Sequence, residues 1–215
     1  MKHSTITNSI WNFRDANTHN PIIKEGFLFR SSSFSLIPNK ESINDLLKEK
    51  NITTIIDLRA DRELLANPYS GTILTNIKYI HAPFDPWNQP DWFQKNHQIG
   101  TNEEIAYRFF TMCCKRSVKQ VVETILEQKS GNIAIHCHAG KDRTGIIFAL
   151  FHLLINSSLE NIYVDYLASE MDTTMDKIAI TLDIIDDEGG IESYLHSCGL
   201  TENKLTKLKH KLLDE

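Results

Sequence analysis

The stretch from Asn132 to Ile155 constrains the fold more than any other part of the chain. It opens with Ile133, Ala134 and Ile135, an apolar run too short for a helix and suited to a buried strand. Cys137 and Arg143 follow, with five residues between them, Gly140 among these. Ile146 to Ile155 is then apolar nearly all round and reads as a helix at the centre of the molecule. A buried strand that ends in a tight loop and runs straight into a central helix implies an α/β fold. The expectation is a small, mostly parallel sheet flanked by helices, with the loop at the strand-to-helix turn.

That order of residues has a chemical use. A loop wrapped onto a helix N-terminus aims several backbone N–H groups at one point. The helix dipole adds partial positive charge there, so the point attracts anions. Arg143 adds a planar fork that matches two phosphate oxygens. The phosphate-binding candidates are the loop residues His138, Ala139, Gly140, Lys141, Asp142 and Arg143. Cys137 sits at the floor of the cradle, in a field that favours the thiolate. A thiolate beneath a phosphoryl group is placed for in-line attack. The spacing is not that of a nucleotide-binding P-loop, because G-x-x-x-x-G-K-[ST] fails here. Metal binding by His136-Cys137-His138 is also a poor fit. Strand alternation sends the histidines to one face and the cysteine to the other, and no second ligand cluster lies nearby. No metal and no cofactor are expected.

The 215 residues suit a single domain, 1–215. A net charge of -5 argues against a nucleic-acid partner. The four cysteines form no C-x-x-C pair, which points to a reduced compartment rather than a disulfide framework. The first residues lack an apolar stretch of signal-peptide length, and no run reaches the roughly 20 residues of a membrane span. The expectation is a cytoplasmic protein without a membrane span; signal-less secretion or a removed leader is the alternative. The oligomeric state is not legible.

Elsewhere the pattern alternates strands with helices. Residues 1–20 read as irregular, with Trp11 and Phe13 as anchors, and Arg14-Asp15 as a surface turn. Gly26–Ser31 reads as a strand with Phe27 and Phe29 on one face and Arg30 as a buried arginine held by a carboxylate. A helix is expected to about Lys50, with Ile43, Leu46 and Leu47 inward, followed by a buried strand, Asn51–Arg59. Asp57 falls at the carboxyl end of that strand, either as a site residue or as a partner of Arg59 or Arg62. After a strand at Ile77–Pro83 comes Phe84–Phe93, read as a stiff loop. Helices are expected at Asn102–Cys114, Ser117–Lys129, Arg143–Ile155, Leu159–Glu170, Thr173–Glu188, Ile191–Ser197 and Thr201–Leu213, with a break at Gly189-Gly190. The lysines of the last helix read as its solvated face.

The string HCHAGKDRTG, residues 136–145, resembles the signature loop of the bacterial protein tyrosine phosphatase family, within the cysteine-dependent phosphatase superfamily. NFRD near the start, GFLFRS, IIDLRADRE and the GIESYL segment are similar to further family motifs. The resemblance implies hydrolysis of phosphate monoesters through a phosphocysteine formed on Cys137, with Arg143 stabilising charge. It implies phosphorylated protein or phosphoinositide substrates, phosphotyrosine foremost, with dual specificity as an extension. His136 then orders the loop and Thr144 steadies the thiolate. The general acid has several candidates. Superfamily analogy points to Asp85 in the loop before the helices, with Asp91 second; Asp142 lies inside the signature loop, where the resemblance is closest; Asp57 is third. The rival class is a phosphate- or phosphoinositide-binding module with weak catalysis. Lower still ranks sulfur or arsenate transfer on a similar loop. Oxidation of Cys137 would be a route to regulation.

Overall fold

The computed structural model describes residues 10–213. Five strands form one sheet in the order β1-β2-β5-β3-β4: β1 (Arg14–Asp15), β2 (Leu28–Ser31), β3 (Ile52–Asp57), β4 (Lys78–His81) and β5 (Asn132–His136). β2, β3, β4 and β5 run parallel; β1 lies antiparallel on β2 at the edge. The α-helices among the described residues are α1 (Lys40–Glu49), α2 (Asp61–Ala66), α3 (Asp91–Asn96), α4 (Asn102–Cys113), α5 (Lys115–Glu127), α6 (Asp142–Leu154), α7 (Leu159–Leu167), α8 (Met175–Asp187), α9 (Ile191–Ser197) and α10 (Glu202–Leu213). The expected α/β architecture is present, with ends that differ by one to three residues.

Alternation along the central strands divides the core. Ile133 and Ile135 of β5 enter the larger cluster, packed on α6, while Ala134 joins Ile43, Leu46 and Leu47 of α1 on the other face. Asn39 starts α1 by accepting a hydrogen bond from the Ser42 N–H at 3.1 Å. α6 is buried almost throughout, as expected of a helix with apolar residues all round. It holds the loop at the carboxyl edge of the sheet.

Three expectations change. Trp11 is no anchor: it is 45% exposed, and the neighbouring Ile10 fills the core instead. Phe13 does pack, stacking on Phe29 at 5.6 Å between centroids. Phe27 and Phe29 do not share a cluster, because Phe27 precedes the paired strand. The segment Phe84–Phe93 is a loop only to Pro90; Asp91 opens a short helix that buries Phe93. No helix among the described residues is long and apolar enough to cross a membrane.

Candidate active site

The loop between β5 and α6 is tied from outside, carbonyl by carbonyl. His136 Nδ1–H donates to the Cys137 carbonyl at 2.8 Å, and the Ser33 N–H donates to that of His138 at 3.0 Å. Asn12 Nδ2 reaches Ala139 O at 2.8 Å, and Arg30 Nη2 reaches Gly140 O at 3.0 Å. The Gly145 N–H takes Lys141 O at 2.7 Å. Five successive carbonyls thus point away from the loop centre. The amide N–H groups of His138 to Lys141 donate to no protein acceptor among the described residues. Those of Asp142 and Arg143 fall in the first turn of α6, where helices leave donors unpaired. The result is an inward-facing cradle of N–H groups above Cys137, which is 2% exposed.

Gly140 is required by two constraints. Its φ is +72°, and a Cβ there would stand 2.3 Å from the Ser31 carbonyl group. A larger residue would push the loop off β2.

Arg143 is forked by a residue that the sequence reading did not single out. Its Nη1 and Nη2 bond Glu63 of α2 at 2.5 and 2.8 Å. That leaves Nε–H and one N–H on each terminal nitrogen for a phosphoryl group. Burial works against the Arg143 charge, but Glu63 and the nearby Cys137 outweigh it and raise its pKa. Glu63 also accepts the Ala60 N–H at 2.9 Å. Burial tends to raise its pKa, yet the bonds from Arg143 hold the carboxyl below its usual range. The signal for Glu63 was its place three residues past the start of α2, where a carboxylate caps.

His136 is fully buried and neutral in tendency: burial lowers its pKa against the opposing pull of Asp57. Its Nδ1 must carry the proton to serve a carbonyl, so Nε2 accepts from the Tyr69 hydroxyl at 2.8 Å. The Thr144 hydroxyl is buried with no hydrogen-bond partner, so no bond to Cys137 is formed. Asp57 resolves toward the pairing alternative. It holds Arg59 through Nε and Nη2, the latter at 2.7 Å, and accepts from Tyr79 at 2.8 Å. Burial would raise its pKa, but His136 and Arg59 bring it down to about 2.

Behind the loop lies a second ion pair. Arg30 is fully buried and meets Asp165 of α7 at 2.5 Å, as the sequence required of a buried arginine. Arg14 joins the same carboxylate at 3.1 Å, so the surface-turn reading of Arg14-Asp15 is overturned. Asp15 instead caps the following turn and accepts the Gly26 N–H at 2.6 Å. The sequence reading did not single out Asp165, which lies on the buried face of α7 between Ile162 and Tyr166.

The acid candidates separate. Asp142 is the first residue of α6, with its side chain one-third exposed. Its Oδ1 accepts from the Tyr107 hydroxyl at 2.5 Å and lies 3.6 Å from Lys141 Nζ, which ties the lysine charge to it. Asp85 accepts the Trp87 N–H at 3.0 Å, closing its own turn, and among the described residues its side chain makes no hydrogen bond or ion pair to the loop. Asp91 is exposed at the start of α3. Two grooves meet at His138. One, of about 320 Å³, is lined by Arg62, Glu63 and Trp87; the other, of about 570 Å³, by Trp11, Leu36, Ile37 and Pro38. Among the described residues no cluster of three or more His, Cys, Asp or Glu side chains gathers to hold a metal.

An amide cradle over a buried cysteine, with a carboxylate-forked arginine at a helix start, is an arrangement that suits a bound phosphoryl group. Residues 6–182 match the profile of the tyrosine phosphatase family, and the chain belongs to that family. It is 27% identical over 188 residues to the triple specificity protein phosphatase PtpB of Mycobacterium tuberculosis, covering 74% of this chain. The match spans 66% of that relative's length, just under two thirds. In fold it is similar to the DUF442 protein of Shewanella putrefaciens CN-32, at a TM-score of 0.51 and 16% identity over 85% of this chain and 96% of that one.

Proposed function

We propose that the protein hydrolyses phosphate monoesters through a phosphocysteine, with protein phosphotyrosine as the leading substrate. The observation that carries the reading is the cradle: five carbonyls tied outward and the N–H groups left for an anion above Cys137. Cys137 Sγ attacks phosphorus as the thiolate, and the bond to the leaving oxygen breaks. Arg143 and the amides of His138 to Arg143 hold the three equatorial oxygens and stabilise their charge. Asp142 protonates the departing oxygen, then takes a proton from the water that hydrolyses the phosphocysteine. Asp142 is favoured over Asp85 because Asp85 is engaged in its own turn and Asp142 begins the helix that carries Arg143. His136, with Asp57 behind it, fixes the loop and moves no proton.

The depth of Cys137 supports an aryl phosphate over a short alkyl one, since a flat ring bridges the distance between rim and floor. Trp87 and Trp11 offer apolar walls on either side of His138. Serine and threonine phosphates and phosphoinositides are extensions of the same chemistry. Phosphate release from tyrosine, serine and threonine phosphopeptides and from phosphoinositide vesicles, beside Cys137→Ser, tests the reading. Release that vanishes in the variant and ranks phosphotyrosine first supports it. Binding of phosphopeptide without turnover by the unaltered protein would transfer the case to the binding module.

A further inference from the structure

Two hydroxyls are buried in the core with a single carboxylate between them and the site. Tyr107 of α4 is 2% exposed and Tyr166 of α7 is 1% exposed. Their hydroxyls lie 2.5 Å apart, and Tyr107 lies 2.5 Å from Asp142 Oδ1. An ionised carboxylate only accepts, so the Tyr107 proton goes to Asp142 and the Tyr166 proton goes to Tyr107. The chain of donors therefore runs one way, from the core to the loop. Neither hydroxyl has another protein partner among the described residues. Burying two hydroxyls is costly unless both are satisfied, and here one acid satisfies the pair.

We infer that Tyr107, backed by Tyr166, is a positioning residue that aims the Asp142 carboxyl at the leaving oxygen. Three separate elements, α4, α7 and the start of α6, meet at this point. Tyr107 and Lys141 both approach Oδ1, so Oδ2 is the oxygen left to carry the transferable proton. Without Tyr107 the side chain is free to turn toward Lys141 or Arg143, the cations on either side of it in sequence. The charged and titratable groups around Asp142 are Tyr107, Tyr166, Lys141, Arg143 and Cys137; Arg30 and Glu103 act on Tyr166. Burial first, and Asp142 next, raise the pKa of Tyr107, which keeps the hydroxyl a donor across the working range. The inference rests on Asp142 as the acid.

The test compares Tyr107→Phe, Tyr166→Phe and Asp142→Asn on p-nitrophenyl phosphate and on phenyl phosphate, whose leaving group is poor. Phenylalanine keeps the ring in the core and removes the hydroxyl alone. A donated hydrogen bond favours the ionised carboxylate, so its loss moves the basic limb of kcat/KM to higher pH. Turnover of phenyl phosphate falls by about tenfold, with little change for p-nitrophenyl phosphate. Tyr166→Phe moves both readouts the same way by less. If Asp142→Asn costs nothing on phenyl phosphate, the acid assignment itself fails. If Asp142→Asn is costly but Tyr107→Phe leaves the limb in place and lowers both substrates equally, or neither, the positioning role alone is overturned. Melting curves of each variant separate these outcomes from a loss of fold.

Discussion

The signature loop and the 84–101 segment both border the site, and they are built in opposite ways. The loop is held by five residues from four segments rooted elsewhere: Asn12, Arg30 and Ser33, Glu63 and Tyr107. The 84–101 segment sinks Phe84 and Phe93 into the core, but the side-chain bonds of its rim are local: Asp85 accepts the Trp87 N–H, Gln94 donates to the Gln89 carbonyl and Gln98 donates to Gln89. It exposes Trp87, Trp92 and Ile99. The difference is one of preorganisation. Charge stabilisation in a transition state needs dipoles fixed beforehand, and only the loop supplies them. A rim whose polar bonds are local supplies no such fixed dipoles, so it suits contact with substrate rather than proton transfer.

The sharpest break between the two regions is Cys137→Ser, which is expected to lower turnover by about four orders of magnitude or more while leaving the melting temperature near its original value. Asp142→Asn should cost roughly 10²- to 10³-fold on phenyl phosphate, and Asp85→Asn close to nothing. A larger loss at Asp85 would erase the contrast and return the acid to the 84–101 segment. Behind the loop, Asp165→Asn leaves Arg14 and Arg30 facing each other in the core, with an expected destabilisation of about 3 kcal/mol by urea unfolding. Replacing Asp165 without such a loss would show the buttress to be dispensable.

Much of this was legible in the sequence, and the parts that were not share a cause. The strand, loop and helix were readable because a short apolar run, a fixed spacing and a long apolar run are local patterns. Arg30 was readable as buried, since its strand left it no exit to water. Its partner Asp165 was not, because 135 residues separate the two. Glu63 and Tyr107 are likewise ordinary helix residues until the fold brings α2 and α4 to the loop. Arg14 was misread as a surface residue for the same reason. Two of the loop's carbonyl ties come from Asn12, visible only as the first residue of NFRD, and Ser33, which carries no signal of its own. Trp11 was misplaced because aromatic residues near a chain end usually anchor it, and here Ile10 does so.

A smaller effect separates the two regions by pH. Asp57 titrates at about 2 in the folded chain, below the usual carboxylate value, because His136 and Arg59 outweigh its burial. A folded pKa below the unfolded one stabilises above the unfolded value and is lost as pH falls through the folded one. The window therefore runs from about pH 4 down to about pH 2, and the contribution is roughly 2 kcal/mol. Asp57→Asn should flatten the acid side of the stability curve over that window. An unchanged acid slope would mean that the pair is already broken in the native state.

The smallest predicted change tests the 84–101 side directly. The Arg62 guanidinium lies 3.2 Å from the centroid of the Trp87 ring, at the edge of the groove that includes His138. A cation–π contact at an exposed site is worth about 0.5–1 kcal/mol, which helps to hold the ring at the groove edge. Trp87→Ala is expected to raise KM for aryl phosphates by about a few-fold, with kcat unchanged, because the ring stands where a substrate ring would lie against it. Its effect should shrink for alkyl phosphates, which have no ring to lay against the indole. A fall in kcat with KM constant would place Trp87 in the chemical step, and the 84–101 segment would then share the work assigned to the loop.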